Sequence, residues 1–289
     1  MSPTVNTDPI MKMYSVNGEL VPVSEAHLHV SDLGLLRGYA VFDYFRVVRS
    51  QPLFINDYLA RFKRSVELLH LDLPVSLGEL KRQIHALIEA NGVPNAGMQL
   101  LLTGGYTPDG FTPAAPNLLM LERPLKLPDE RIYKEGANLI THDYTRDIPE
   151  AKTTNYAVAI NLLPRQRELN AVDVLYHHGG FVFETARSNI FVVRGGKVMT
   201  PGDKVLKGVT RKQVLELARR HYEVLETPLT LDEVYSADEV FITSTIKGVM
   251  PIVKIEDKVI GESVPGKVTQ HLLDLFATHV DDYLAALAT

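Results

Sequence analysis

Cysteine is absent from the 289 residues, which excludes disulfide staples, thiolate metal sites and cysteine nucleophiles and is compatible with a reducing cytosol. Charge of one sign is nowhere concentrated. Lys+Arg 30 stand against Asp+Glu 35, a formal net charge of -5, with no long run of either. Such a chain has no electrostatic footprint for DNA or RNA. No stretch approaches the roughly 20 apolar residues that cross a bilayer. The opening MSPTVNTDPIMKMYSVNG has no apolar core of signal-peptide length. These absences lead to the expectation of a soluble cytoplasmic protein with neither nucleic-acid nor membrane partners and no metal centre.

What is present suits a two-lobed enzyme, since 45% hydrophobic residues fill one large core or two modest ones. Asn17-Gly18 between short apolar runs predicts a hairpin. Val41 to Val48 and Leu53 to Ile55 predict a second one around Arg49 to Pro52. Leu59, Phe62, Val66 and Leu69 have the spacing of a helix face, with Asn56 or Asp57 as its cap. A second amphipathic helix is predicted over Leu77 to Asn91, ended by Gly92 and Pro94. The fold class is therefore α+β. The charged, proline-containing stretch 122–134 reads as a linker between a smaller domain, 1–121, and a larger one, 135–289. The larger domain is predicted to alternate strands with helices at Asn155 to Glu168, at Thr210 to His221 and at the C-terminus.

An enzyme that uses an aldehyde cofactor with a phosphate tail needs a lysine amine, an acid for the ring nitrogen, and amide and hydroxyl donors. The larger domain offers each. Lys152 stands in IPEAKTTNY, near a predicted helix start, where most lysines are simply solvated. Glu184 ends the apolar run Phe181-Val182-Phe183, where it serves equally as an ordinary strand end. Gly208-Val209-Thr210 precedes a helix whose first amides make a phosphate seat, or a plain cap. Thr243-Ser244-Thr245 closes a strand as a donor-rich or merely polar turn.

In order, KTTNY, ETARSNIFVV, GVTRKQVLELA and VFITSTIKGVMPI closely resemble the successive motifs of class IV, or fold-type IV, aminotransferases. In the first domain, SDLGLLRGYAVFDYFRV and YLARFKRSVELL resemble the same family. The resemblance implies an α/β sandwich lobe followed by a lobe with a β-barrel-like core, and pyridoxal 5'-phosphate as cofactor. It implies Lys152 as the Schiff-base lysine and proton shuttle, and Glu184 as the partner of the ring nitrogen. Arg61, Val209, Thr210, Ser244 and Thr245 become phosphate contacts, and Tyr156, taken to lie one helical turn past Lys152, a lining residue. The substrates implied are an amino acid and a 2-oxo acid, and the assembly a homodimer.

Within that family the D-amino-acid enzymes and lyases carry a Thr-Arg-Gly carboxylate trap, where this chain has Thr103 followed by Gly104. Arg37, Arg187 and Lys247 are basic residues at motif positions that could replace it. They favour a D-amino-acid aminotransferase acting on D-glutamate or D-alanine over a branched-chain L-amino-acid enzyme. Aminodeoxychorismate lyase and (R)-amine transaminase chemistry remain further alternatives. A non-catalytic relative is disfavoured because Lys152 and Glu184 are both intact. His177 and His178 have no metal-ligand company in the sequence and read as structural.

Overall fold

The computed structural model describes residues 11–287. The chain forms two compact units, one up to Lys126 together with Ala151–Asn155, the other Leu127–Glu150 together with Tyr156 onward. Most of the opening stretch read for a leader thus lies outside the described residues.

The first unit contains β1 (Met13–Val16), β2 (Glu19–Pro22), α1 (Leu33–Arg37), β3 (Ala40–Val48), β4 (Gln51–Pro52), α2 (Ile55–Leu68), α3 (Leu77–Asn91), β5 (Asn95–Thr103) and β6 (Leu118–Pro124). Its six-stranded sheet runs β2-β1-β6-β5-β3-β4. The Asn17-Gly18 hairpin forms with both residues at positive φ, as a tight turn between twisted strands requires. Alternation along β3 buries Asp43, Phe45 and Val47 on one face, and α2 packs on that strand through Tyr58, Leu59, Phe62 and Val66. Ser76 caps α3 and Gly92 ends it at φ 64.

Two local expectations are corrected. The second hairpin returns only through Gln51–Pro52, because Phe54 adopts φ 49 and α2 starts immediately after it, with neither Asn56 nor Asp57 as cap. The stretch read as linker begins in sheet, since β6 runs through Pro124 against β5. Residues 151–155 join the first unit by pairing with the start of β3. Phe42 N donates to Lys152 O at 2.9 Å and Thr154 N to Ala40 O at 3.1 Å.

The second unit contains α4 (Arg131–Glu135), β7 (Ala137–Asp143), α5 (Ala157–Asn161), α6 (Leu163–Glu168), β8 (Ala171–His178), β9 (Phe181–Thr185), β10 (Asn189–Arg194) and β11 (Lys197–Thr200). It continues with α7 (Val209–Ala218), β12 (Val224–Glu226), β13 (Leu229–Thr230), α8 (Leu231–Tyr235), β14 (Glu239–Ser244), β15 (Gly248–Ile255), β16 (Lys258–Val259) and α9 (Lys267–Leu287). The sheet path β10-β14-β15-β7-β8-β9 returns on itself through an additional β9–β10 pairing, so these strands close a ring. This is the barrel-like core that the resemblance implies.

Alternation splits the strands between two apolar layers. Leu139, Leu175, Ile190, Val192, Val240, Ile242 and Ile252 share one core. Phe191, Val193 and Phe241 turn the other way, to Val214, Leu215 and Ala218 of α7 and Leu272 of α9. Phe191 and Phe241 stack at 4.7 Å. The single helix expected over Asn155 to Glu168 is two short ones broken at Leu162, two residues before Pro164, which lies at the start of the second.

Candidate active site

In the first unit, Lys152 lies on extended chain rather than at a helix start. Its backbone is held on both sides: the amide donates to Ser65 Oγ at 3.0 Å and the carbonyl accepts from Phe42 N at 2.9 Å. The ammonium lies over the Phe42 ring, 4.6 Å from its centroid. A fixed backbone beneath a long side chain is the arrangement wanted of an amine that must hold a group and then move a proton. Arg61, on α2, sets its Nε and one terminal nitrogen on Asp43 at 2.9 and 2.5 Å. Asp43 is fully buried, so this fork fixes the guanidinium plane.

Arg37 ends α1, at the surface, where Gly38 turns the chain at φ 66. Its Nη2 lies over Gly110, 3.8 Å from where a side chain there would begin. Beneath that turn the buried Asp32 carboxylate accepts from Gly34 N, Thr103 Oγ1 and Asn117 Nδ2 at 2.7 to 2.8 Å. The α1 turn and the Gly104 turn are thereby tied to one carboxylate.

In the second unit, Glu184 lies at the strand pairing that closes the barrel ring, opposite Asn189. It is 5% exposed. One carboxylate oxygen accepts from Arg146 Nε and Nη2 at 2.9 and 2.5 Å, the other from Leu206 N at 3.0 Å and, longer, from Asn189 Nδ2. Arg146, itself fastened to the Pro149 carbonyl, keeps a buried carboxylate compensated. Sequence reading missed Arg146. The local signal was its place in the turn-prone Arg146 to Glu150, six residues before Lys152, but nothing local names a partner 38 residues away.

The residues expected to meet a phosphate, Val209, Thr210, Ser244 and Thr245, also lie in this unit. Helix α7 starts at Val209, after Gly208, and among the described residues no side chain caps it. Its first amides therefore have no intrahelical acceptor at the positive end of the helix, and Thr210 lies buried in that first turn. Ser244 ends β14, and its Oγ accepts from the Lys247 amide at 3.3 Å while keeping its own O–H as a donor. Thr245 follows in the turn. Thr243 Oγ1 is buried without a partner among the described residues, on the strand face it shares with Asn189 across the β10–β14 pairing. A buried carboxylate paired with a guanidinium, a helix start without a side-chain cap and clustered hydroxyls fit a pyridoxal phosphate, whose ring nitrogen and phosphate ask for those groups. Tyr156 stands just before α5 and packs with Tyr144 and Tyr176. It is not one helical turn past Lys152, because the chain between them is extended.

Two of the expected substrate cations converge on one internal carboxylate. Lys247 Nζ lies 2.7 Å and Arg187 Nε 3.9 Å from Asp173 Oδ2. Asp173 is fully buried. Burial pushes its carboxyl up, but the two cations and the Lys247 and Val174 hydrogen bonds outweigh that and hold it below the usual range. Burial lowers the Lys247 ammonium, and Asp173 offsets this only in part. Lys247 thus meets an internal carboxylate where a substrate carboxylate was expected. Arg187 is half exposed, with a terminal nitrogen on Val172 O at 3.0 Å. His178 pairs with Asp143 at 2.8 Å on the surface.

The family model for amino-transferase class IV matches residues 40–255. A putative branched-chain-amino-acid aminotransferase of Methanocaldococcus jannaschii is 31% identical over 92% of this chain and 95% of its own length. A D-alanine aminotransferase of Bacillus licheniformis is 29% identical over 89% and 93%. The solved branched-chain aminotransferase of Thermoproteus uzoniensis with norvaline superposes with TM-score 0.84 at 25% identity, over 94% of this chain and 97% of that one. Other solved branched-chain enzymes hold pyridoxamine 5'-phosphate or N-(5'-phosphopyridoxyl)-L-glutamate. The matched range includes Lys152, Glu184, Thr210 and Ser244 and reaches into both units, and the chain belongs to the class IV aminotransferases, enzymes whose cofactor is pyridoxal 5'-phosphate.

Proposed function

We propose that this aminotransferase exchanges nitrogen between an amino acid and a 2-oxo acid in ping-pong fashion, with D-amino acids such as D-glutamate or D-alanine as donors. The observation that supports the D-reading is the position of Arg37. It extends over the loop that follows Thr103-Gly104, so a cation accompanies the segment that lacks the arginine of the Thr-Arg-Gly pattern. In this reading Arg37 and the half-exposed Arg187 are the candidates for the substrate carboxylate.

The bound cofactor supplies an aldehyde for the amino group and a ring that stores the electron pair released at Cα. Lys152 would hold it through Nζ, and the freed amine would carry the Cα proton to the cofactor's C4' in one half-reaction and back to Cα of the new amino acid in the other, over a backbone that Ser65 and Phe42 keep still. Glu184, paired with Arg146, would hold the proton on the ring nitrogen. Arg61, Val209, Thr210, Ser244 and Thr245 bind the phosphate, and Tyr156 lines the site. We further propose a cytoplasmic homodimer, for which sedimentation of an active monomer is the refuting result.

A branched-chain L-amino-acid specificity is the second reading. Asp173 absorbs the Lys247 charge, which removes one of the three cations that point to an acidic substrate. One test separates the two: D-alanine, D-glutamate, L-leucine, L-glutamate and (R)-1-phenylethylamine are added separately to the purified enzyme while its visible absorbance is followed. Bleaching by the D-amino acids alone is expected. Bleaching by L-leucine and L-glutamate instead makes the enzyme a branched-chain aminotransferase.

A further inference from the structure

We propose that Asp173 and Lys247 are positioning residues whose buried ion pair holds the Ser244–Thr245 turn in the shape that receives the cofactor phosphate. This rests on the assignment of that turn to the phosphate made above. The connection between β14 and β15 is only Thr245 to Lys247, closed by Gly248 at φ 59. Lys247 is fastened in it at every polar group. Its amide donates to Ser244 Oγ at 3.3 Å, its carbonyl accepts from Tyr133 Oη at 2.8 Å, and its Nζ meets Asp173 Oδ2 at 2.7 Å and Ser188 Oγ at 3.1 Å.

The far end of the strut is equally fixed. Asp173 shares the barrel-core face of β8 with Leu175. Its Oδ2 also accepts from Thr185 Oγ1 and its Oδ1 from Val174 N, both at 3.0 Å. In the ring, β7 lies between β15 and β8, so the pair ties the turn before β15 to a strand that is not its sheet neighbour. Both charges are buried, and swinging the ammonium toward a ligand would take from Asp173 its nearest counter-charge. The pair therefore acts on the turn and not on the substrate. Donors aimed at a phosphate contribute most when they are already in place before it arrives.

The test uses the apo-enzyme and two probes, pyridoxal 5'-phosphate and pyridoxal, with affinities measured by equilibrium dialysis. The variants are D173N, K247M, D173N/K247M and S244A/T245A, each also followed by thermal unfolding. D173N and K247M are expected to lower the midpoint, and the double variant, which buries no charge at that point, to recover it. All three are expected to lose the preference for the phosphorylated probe by about tenfold or more, the scale of one charge-assisted hydrogen bond. A double variant that keeps the full preference, while S244A/T245A loses it, overturns the strut and leaves the phosphate assignment standing. An unchanged preference in S244A/T245A overturns the assignment itself and the strut with it. Tighter phosphate binding by D173N also overturns the strut, since Lys247 would then act by its charge.

Discussion

Replacing Arg146 by methionine should destabilise the apo-protein severely. The guanidinium sends two hydrogen bonds to one oxygen of Glu184 at 2.9 and 2.5 Å, and the two side chains are only 14% and 7% exposed. Methionine fills much of the same space but takes both guanidinium hydrogen bonds from the carboxylate, which keeps the Leu206 amide and the long Asn189 contact. Removing one partner of a buried pair costs about 3–5 kcal/mol, because the other charge stays behind uncompensated. At about 2 °C per kcal/mol for a chain of this size, the unfolding midpoint should fall by about 6–10 °C. E184Q in the same background removes the stranded charge, so R146M/E184Q should regain most of the loss. Circular dichroism of the four apo-proteins measures the cycle. Effects that add to within about 0.5 kcal/mol would mean that the two residues do not act on each other, and the account of Glu184 as a carboxylate held by Arg146 would fail.

Glu122, fully buried on β6 and bonded to Asn91 Nδ2 at 2.7 Å, is pushed by burial from 4.5 up to about 7. Its contribution is complete below pH 4.5 and falls as the unfolded chain ionises first, by about 3 kcal/mol in all at 1.36 kcal/mol per unit, until the folded protein also releases its proton near pH 7. Urea unfolding of E122Q between pH 4.5 and 8 should lack that fall, and an identical pH slope in both proteins would disprove it. R61K should weaken cofactor binding by about tenfold or more, because an ammonium cannot reproduce the planar two-bonded fork on both Asp43 oxygens; equilibrium dialysis showing wild-type affinity would reject that role. K152A should retain no cofactor through gel filtration in buffer without added cofactor, and a retained visible band would assign the attachment elsewhere.

What the sequence made legible was local. The Asn17-Gly18 hairpin, the apolar faces of α2 and α3 and the strand alternation of Ile190 to Val193 follow from spacing within a few residues, and all are present. The order of motifs around Lys152, Glu184, Thr210 and Ser244 also survived reading, because each is a short run with its own chemistry. What could not be read were partnerships across long separations. The Lys152 segment looked like a helix start because Ala157 to Glu168 is helical in pattern, whereas its backbone bonds go back to Ala40 and Phe42.

Lys247 shows the same limit with a functional consequence. A lone cation in a motif invites assignment to an anionic substrate, and the sequence gives no hint that the matching carboxylate stands 74 residues upstream. Asp173 itself sits between two valines in a strand, at a spacing that places it on the barrel-core face beside Leu175, where an aspartate without a counter-charge could not be kept ionised. The informative feature was therefore the acid and not the base. An acidic residue on the core face of a predicted strand requires a cation from elsewhere in the chain, and basic residues at motif positions are the first candidates. Applied here, that rule asks which of Arg37, Arg187 and Lys247 answers Asp173 before any substrate is considered. The structure answers with Lys247 at 2.7 Å and Arg187 at 3.9 Å, and leaves Arg37 and the half-exposed Arg187 as the cations on which the choice between D- and L-amino acids turns.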